Sequence, residues 1–196
     1  MPRRSEPNVA KGWFQIPGIR EQGDRTIEEQ AIGLAPALEE AKGKTVLDVG
    51  CAEGAISRLF AEAGAAEVVG IESLAEHLAV ARKWCKGFPQ IRFENFHLQD
   101  WMTAHPEPEV YDVVLILGIV HKIDDPAWPI RWACRSCRNL LLFRGPADGN
   151  RKMIVTSKWG KAACHWPTEM AAQGFALERR IPGVRGEGVE YWRRKR

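Results

Sequence analysis

Residues 45–64, TVLDVGCAEGAISRLFAEAG, decide the fold. Val46, Leu47 and Val49 make a short apolar run around one acid, Asp48. A loop of small residues follows, Gly50-Cys51-Ala52-Glu53-Gly54. After it, AISRLFAEAG (55–64) has apolar residues at helical spacing and stops at Gly64, a C-cap glycine. The stretch therefore reads as a buried strand, a tight turn and an amphipathic helix. An acid, then a tight turn, then a helix start is the arrangement of a ligand site rather than of a plain connection.

The same alternation runs outward in both directions. Upstream, TIEEQAIGLAPALEEA (26–41) reads as a helix, with Thr26 as N-cap, Glu29 as its capping-box partner and Pro36 as a kink or break. Downstream come strand EVVGIE (67–72), helix LAEHLAVARKWC (74–85) and strand IRFENFHL (91–98). YDVVLIL (111–117) is nearly continuous in apolar residues, as a strand buried on both faces should be. PAWPIRWACRSC (126–137) is helical, with Pro126 and Pro129 confined to its start, and it leads into strand NLLLF (139–143). A short helix TEMAAQG (168–174) precedes strands FALERRI (175–181) and GVEYWRRK (188–195). The Gly-rich segment between these last two makes them antiparallel. Strands alternating with helices imply a parallel sheet covered on both faces. The expected fold is a three-layer α/β Rossmann-like sandwich of seven strands, mostly parallel, with an antiparallel last strand.

Two segments result: an N-terminal arm over 1–25, rich in Pro, Gly and charge, and one folded domain over 26–196. With 196 residues, 45% hydrophobic and 27% charged, the composition is that of a globular domain. A net charge of +3 does not by itself call for nucleic acid. No apolar run approaches the roughly 18 residues of a membrane span. The N-terminus has arginines but no apolar core of a signal peptide. The five cysteines read as reduced thiols, which places the protein in the cytoplasm.

In open α/β sheets, ligands sit beyond the carboxyl ends of the strands, where strand order reverses. Gly50 and Gly54 give the first turn its freedom. Glu72, at the end of the second strand, is placed to accept hydrogen bonds from both hydroxyls of a ribose. A dinucleotide is disfavoured because the chain reads G-C-A-E-G-A from Gly50, without the second glycine that lets backbone approach a pyrophosphate. Asp48 suits a cationic ligand better than an anionic one.

VLDVGCAEG (46–54) resembles the first motif of the class I S-adenosylmethionine-dependent methyltransferases. The likeness spans about residues 44–144 by motif and the chain from residue 26 by element order. That family usually has a glycine where this chain has Ala52. The resemblance implies S-adenosyl-L-methionine as cofactor and assigns roles by position. The turn from Gly50 through Cys51 and Ala52 to Gly54 passes beneath the methionine part, and Asp48 lies near its ammonium. Glu72 takes the ribose, and Ser73 and Leu74 line the adenine. Asp100 takes the adenine amino group, flanked by Leu98, Gln99 and Trp101. Leu117 and Gly118 lie near the transferable methyl, and His121 faces the acceptor as a general base. The acceptor is a small molecule or RNA, with no membrane partner; 111–126 is loosely similar to wobble-uridine tRNA methyltransferases. A nicotinamide-dependent oxidoreductase and a non-catalytic module of the same fold are the competing readings.

Other features have plainer readings. Cys134, Cys137 and Cys164-His165 resemble zinc ligands in spacing, but a helix running straight into a strand makes ordinary thiols of them and no metal is expected. Trp13, Phe14, Trp128, Trp132 and Trp166 read as core or lid packing. Arg144, Arg151, Lys152, Lys158 and Lys161 surround the connection after the fifth strand and either attract an anionic substrate or form a solvated loop. The arm carries Trp13, Phe14, Gln15 and Arg25 among Gly12, Gly18 and Gly23, the parts of a lid.

Overall fold

The structure is a computed structural model that describes residues 12–18, 23–106, 108–120, 123–145, 152–157, 160–183 and 187–196. Its strands are β1 (Thr45–Val49), β2 (Glu67–Glu72), β3 (Ile91–Asn95), β4 (Tyr111–Leu117), β5 (Cys137–Arg144), β6 (Lys152–Ser157), β7 (Gly160–His165), β8 (Phe175–Pro182) and β9 (Gly188–Arg194). Seven of them form one sheet in the order β3-β2-β1-β4-β5-β9-β8. Strands β1 to β5 pair in parallel, and β9 runs antiparallel to both β5 and β8. The expected sandwich and its reversed last strand are thus present. Strand order reverses between β1 and β4, so the crevice at their carboxyl ends is the place for a ligand.

Alternation along each strand feeds two cores. Leu47, Val49, Ile71, Val114, Ile116 and Phe143 face one side and pack with α6 (Ala127–Ser136) and α7 (Trp166–Ala172). Val46, Val68, Val113, Leu115 and Leu142 face the other and pack with α2 (Ala35–Glu40) and α3 (Ala55–Glu62). Because both faces are covered, the strands carry apolar residues at nearly every position.

Three elements depart from the sequence reading. The helix expected over 26–41 is two, α1 (Ile27–Ala31) and α2. Thr26 and Glu29 do form the capping box, but Gly33 takes φ +85° and Pro36 opens the second helix. The strand expected to reach residue 98 stops at Asn95, and α5 (Leu98–Ala104) begins. Leu98, Trp101 and Met102 bury one side of that helix, a spacing of 3.6 that wins over the strand's period of two. After β5, the expected plain connection contains a hairpin, β6 paired with β7 from Lys152↔His165 to Ser157↔Gly160. Helix α4 (Ala75–Trp84) completes the set. No helix among the described residues is long and apolar enough to cross a membrane.

Candidate functional site

The turn after β1 is shaped by its backbone. Gly50 has φ +76°, and a Cβ there would sit 2.3 Å from Ile119 Cδ1. Gly50 and Cys51 both donate their N–H to Ile71 O, at 2.9 and 3.1 Å, which ties the turn to β2. Ala52 is the one described non-glycine residue at positive φ, +48°. That is the position where the resembling family carries glycine, and the left-handed conformation explains why; alanine there costs about 1–2 kcal/mol. Gly54 has φ +74° and caps α3; a Cβ on it would lie 2.7 Å from Phe93 Cζ, so its role is packing.

Above this turn lies a cavity of about 460 Å³, in the size range of small-molecule sites. Of the residues the sequence pointed to, Gly50, Ala52, Glu72, Ser73, Leu74, Gln99, Leu117 and Gly118 line it. Glu72 is oriented by the chain around it. Its Oε1 accepts the N–H groups of Ser73 (2.7 Å) and Leu74 (2.9 Å) and the Ser73 hydroxyl (3.1 Å). Its Oε2 accepts only Ala52 N–H, at 3.1 Å, so lone pairs remain on the Ala52 side.

Asp48 and Cys51 instead line an annex of about 20 Å³ behind the Gly50 turn. Asp48 is buried and accepts a 2.6 Å hydrogen bond from the Ser57 hydroxyl. Burial, helped by the nearby Glu72 charge, pushes its carboxyl up to about 6 against that bond and a second from the Ser57 N–H. Burial also pushes the Cys51 thiol well up.

Asp100 and Trp101 do not line the cavity. Successive helical residues are turned by about 100° from one another. With α5 starting at Leu98, it is His97, Leu98 and Gln99 that face the cavity. Asp100 is exposed, and Trp101 is buried, stacked on His105 at 4.1 Å and edge-on to Phe96. His121 lies outside the described residues, as do Arg151, Lys158 and the side chains of Lys152 and Lys161.

The cavity also has residues the sequence reading did not single out: His77, His97, Ile119, Ile123 and Asp124. Glu53 is a further one, 2% exposed although it reads as a loop acid. Its carboxylate accepts the N–H groups of Trp13 (2.7 Å) and Phe14 (3.2 Å) and lies 3.5 Å from His77 Nε2. The arm is thereby fastened to the ligand turn. Gln15 N–H bonds Arg25 O at 2.8 Å and Gly23 N–H bonds Phe14 O at 2.9 Å, with Phe14 and Ile16 buried. Trp13 lines the cavity. Only a signal in the partner, a strap with buried aromatic residues, could have exposed Glu53's role.

The remaining features are structural. Cys134, Cys137 and Cys164 are buried, and burial pushes each thiol up to about 12. Trp132 and Trp166 are buried, their indole N–H groups donated to His105 O and Glu190 Oε2 at 3.1 and 3.0 Å.

Comparison with known proteins agrees with this geometry. A family model described as "Methyltransferase domain" matches residues 46–141. The chain is 34% identical over 104 residues to a ubiquinone biosynthesis O-methyltransferase of Neisseria meningitidis, covering 52% of this chain and 41% of that protein. It is 32% identical over 145 residues to the protein of that name in Proteus mirabilis, covering 68% and 52%. The chain thus spans about half the length of the curated relatives it matches. In fold, it is similar to magnesium protoporphyrin IX methyltransferase from Synechocystis PCC 6803, solved with bound SAM, at a TM-score of 0.65 and 17% identity, covering 86% of this chain and 80% of that one.

Proposed function

Because the chain belongs to the class I S-adenosylmethionine-dependent methyltransferases, we propose that it methylates an oxygen, nitrogen or carbon nucleophile of a small molecule or RNA. The names of its relatives favour a hydroxyl oxygen. The observation that carries the reading is the 460 Å³ cavity at the strand-order reversal, with the Glu72 carboxylate on its wall and the Gly50 turn beneath it. The residues fit the cofactor: a carboxylate with free lone pairs for a ribose, close backbone at Gly50 and Ala52, and a buried acid at Asp48.

When bound, S-adenosylmethionine would supply a sulfonium methyl for in-line transfer to the acceptor, with S-adenosylhomocysteine as the leaving group. Glu72 accepts the ribose hydroxyls, and Ser73 and Leu74 border the adenine. Gln99, which faces the cavity where Asp100 does not, offers its carboxamide to the adenine edge. Leu117 and Gly118 border the methyl. Among the described cavity residues, His97 and Asp124 are groups able to take a proton from a hydroxyl acceptor. The strap formed by residues 12–18 and 23–25 acts as a lid that excludes water, with Glu53 as its fastening. Five free thiols suit a reducing compartment such as the cytoplasm.

Thermal shift tests the cofactor. S-adenosylhomocysteine should raise the melting temperature and NADH should not, since only a ligand of the native state stabilises it. The reverse result overturns the proposal. By calorimetry, Glu72→Ala should weaken S-adenosylhomocysteine binding by about 1–3 kcal/mol; unchanged affinity removes Glu72 from the site.

A further inference from the structure

The annex behind the Gly50 turn holds two buried ions of opposite sign, Asp48 and Arg144. It shares Trp13, Gly50 and Leu117 with the main cavity, so the two spaces adjoin. Arg144 stands at the end of β5 and is 5% exposed. Its named bonds go to neutral acceptors only: Gln30 Oε1 at 2.6 Å, Gln30 O at 2.8 Å and Ile32 O at 3.5 Å. A guanidinium has five N–H donors, so at least two have no acceptor among the described residues. Burial lowers its pKa, which Glu187's charge only partly offsets from a distance. Charged side chains are almost never fully buried unless paired, and arginine is suited above all to planar bidentate recognition of a carboxylate. Asp48, across the same annex, takes hydrogen bonds from the Ser57 hydroxyl and N–H and faces no cationic partner among its bonds to the described residues.

Two unpaired buried charges of opposite sign match a ligand that carries both, an α-amino acid. We propose that Arg144 binds the α-carboxylate of the cofactor's amino-acid end while Asp48 takes the ammonium beside it. This rests on the cofactor reading above. The pair lies 96 positions apart in the chain, at the ends of β1 and β5 (144 − 48). About 20 Å³ is room for one water. Trp13 and Phe14 of the strap line the annex, so the strap gives way when the amino-acid end seats.

The test is calorimetry with three probes: S-adenosylhomocysteine, its decarboxylated analogue, which keeps the ammonium, and 5′-methylthioadenosine, which lacks the amino-acid end. The wild-type chain should prefer S-adenosylhomocysteine to the decarboxylated analogue at least tenfold. Arg144→Gln removes the charge but leaves a carboxamide to bond the Gln30 and Ile32 carbonyls. It should abolish that preference and leave 5′-methylthioadenosine affinity within twofold. The assignment is overturned if the variant keeps the preference, if all three probes weaken alike, or if the wild-type chain shows no preference at all. The wild-type ratio needs no variant to fold. A wild-type chain that binds none of the three sinks the cofactor reading itself, which separates that failure from a failure of Arg144. An Arg144 that serves an acceptor's carboxylate instead leaves the cofactor preference unchanged in the variant, and so also counts against the assignment.

Discussion

Asp48 and Asp112 sit on neighbouring parallel strands at opposite ends of the sheet, and the protein treats them in opposite ways. Asp112, at the start of β4, accepts the Thr45 N–H and hydroxyl, both at 3.1 Å, and Arg138 Nη1 at 2.8 Å. Burial pushes its carboxyl up, but those donors outweigh burial and hold it below the usual carboxylate range. Beside it, Arg193 is bracketed by Glu40 and Glu178. Asp48, at the end of β1, is deeper and is bonded only by the hydroxyl and N–H of Ser57, with no cation beside it, so burial wins and its carboxyl rises to about 6. One end of the sheet compensates its charges and the other leaves them open. Uncompensated charge is tolerable where a ligand completes it, and the strained backbone of Ala52 lies at that same end.

The comparison can be broken most severely at Gly50. Gly50→Val combines a positive φ with a Cβ driven into Ile119, and should cost about 3 kcal/mol of stability and abolish ligand binding. Chemical denaturation followed by circular dichroism, with calorimetry on the folded fraction, measures both; a stable variant with normal affinity contradicts this account of the turn.

Asp48→Asn should do the opposite to stability. A folded-state pKa of about 6 against an ordinary 3.8 means that Asp48's contribution is full below pH 3.8 and is lost as pH rises through 6. Two units correspond to about 3 kcal/mol as an upper figure. The variant should therefore be more stable than the wild type at pH 8, by up to that amount, and equal to it near pH 3.5. Its affinity for S-adenosylhomocysteine should fall. Denaturant midpoints across that pH range check the sign, and a variant destabilised at pH 8 refutes it.

At the compensated end, Asp112→Ala strips the Thr45 N–H of its acceptor and should cost about 1–2 kcal/mol, with ligand affinity unchanged. An affinity change there blurs the distinction between the two ends. The smallest expected effect is at Ala52. Ala52→Gly relieves about 1–2 kcal/mol of left-handed strain and gives back about 0.4–1 kcal/mol in unfolded-chain entropy. A net gain near 0.5 kcal/mol should appear in the denaturant midpoint.

Which of these features the sequence carries depends on how far apart the interacting groups are. The strand, turn and helix of 45–64, the capping box at Thr26 and Glu29 and the reversed final strand all follow from spacings of two to four residues or from a short connection. They are legible because periodicity and capping act within one turn or one pleat. Glu72 and the Gly50 turn are legible for the same reason, being fixed by where strands end. What only the tertiary structure decided lies across long separations. Whether Gln99 or Asp100 faces the cavity depends on the phase of α5, which is set by burial of Leu98, Trp101 and Met102. Glu53 reads as a solvated loop acid until a strap 39 and 40 residues away donates to it. Arg144 reads as one cation of a basic loop until Gln30, 114 residues earlier, draws it into the sheet's end and leaves it facing Asp48. No local spacing records those meetings, because desolvation and charge are properties of the packed neighbourhood and not of the neighbouring residues in the chain.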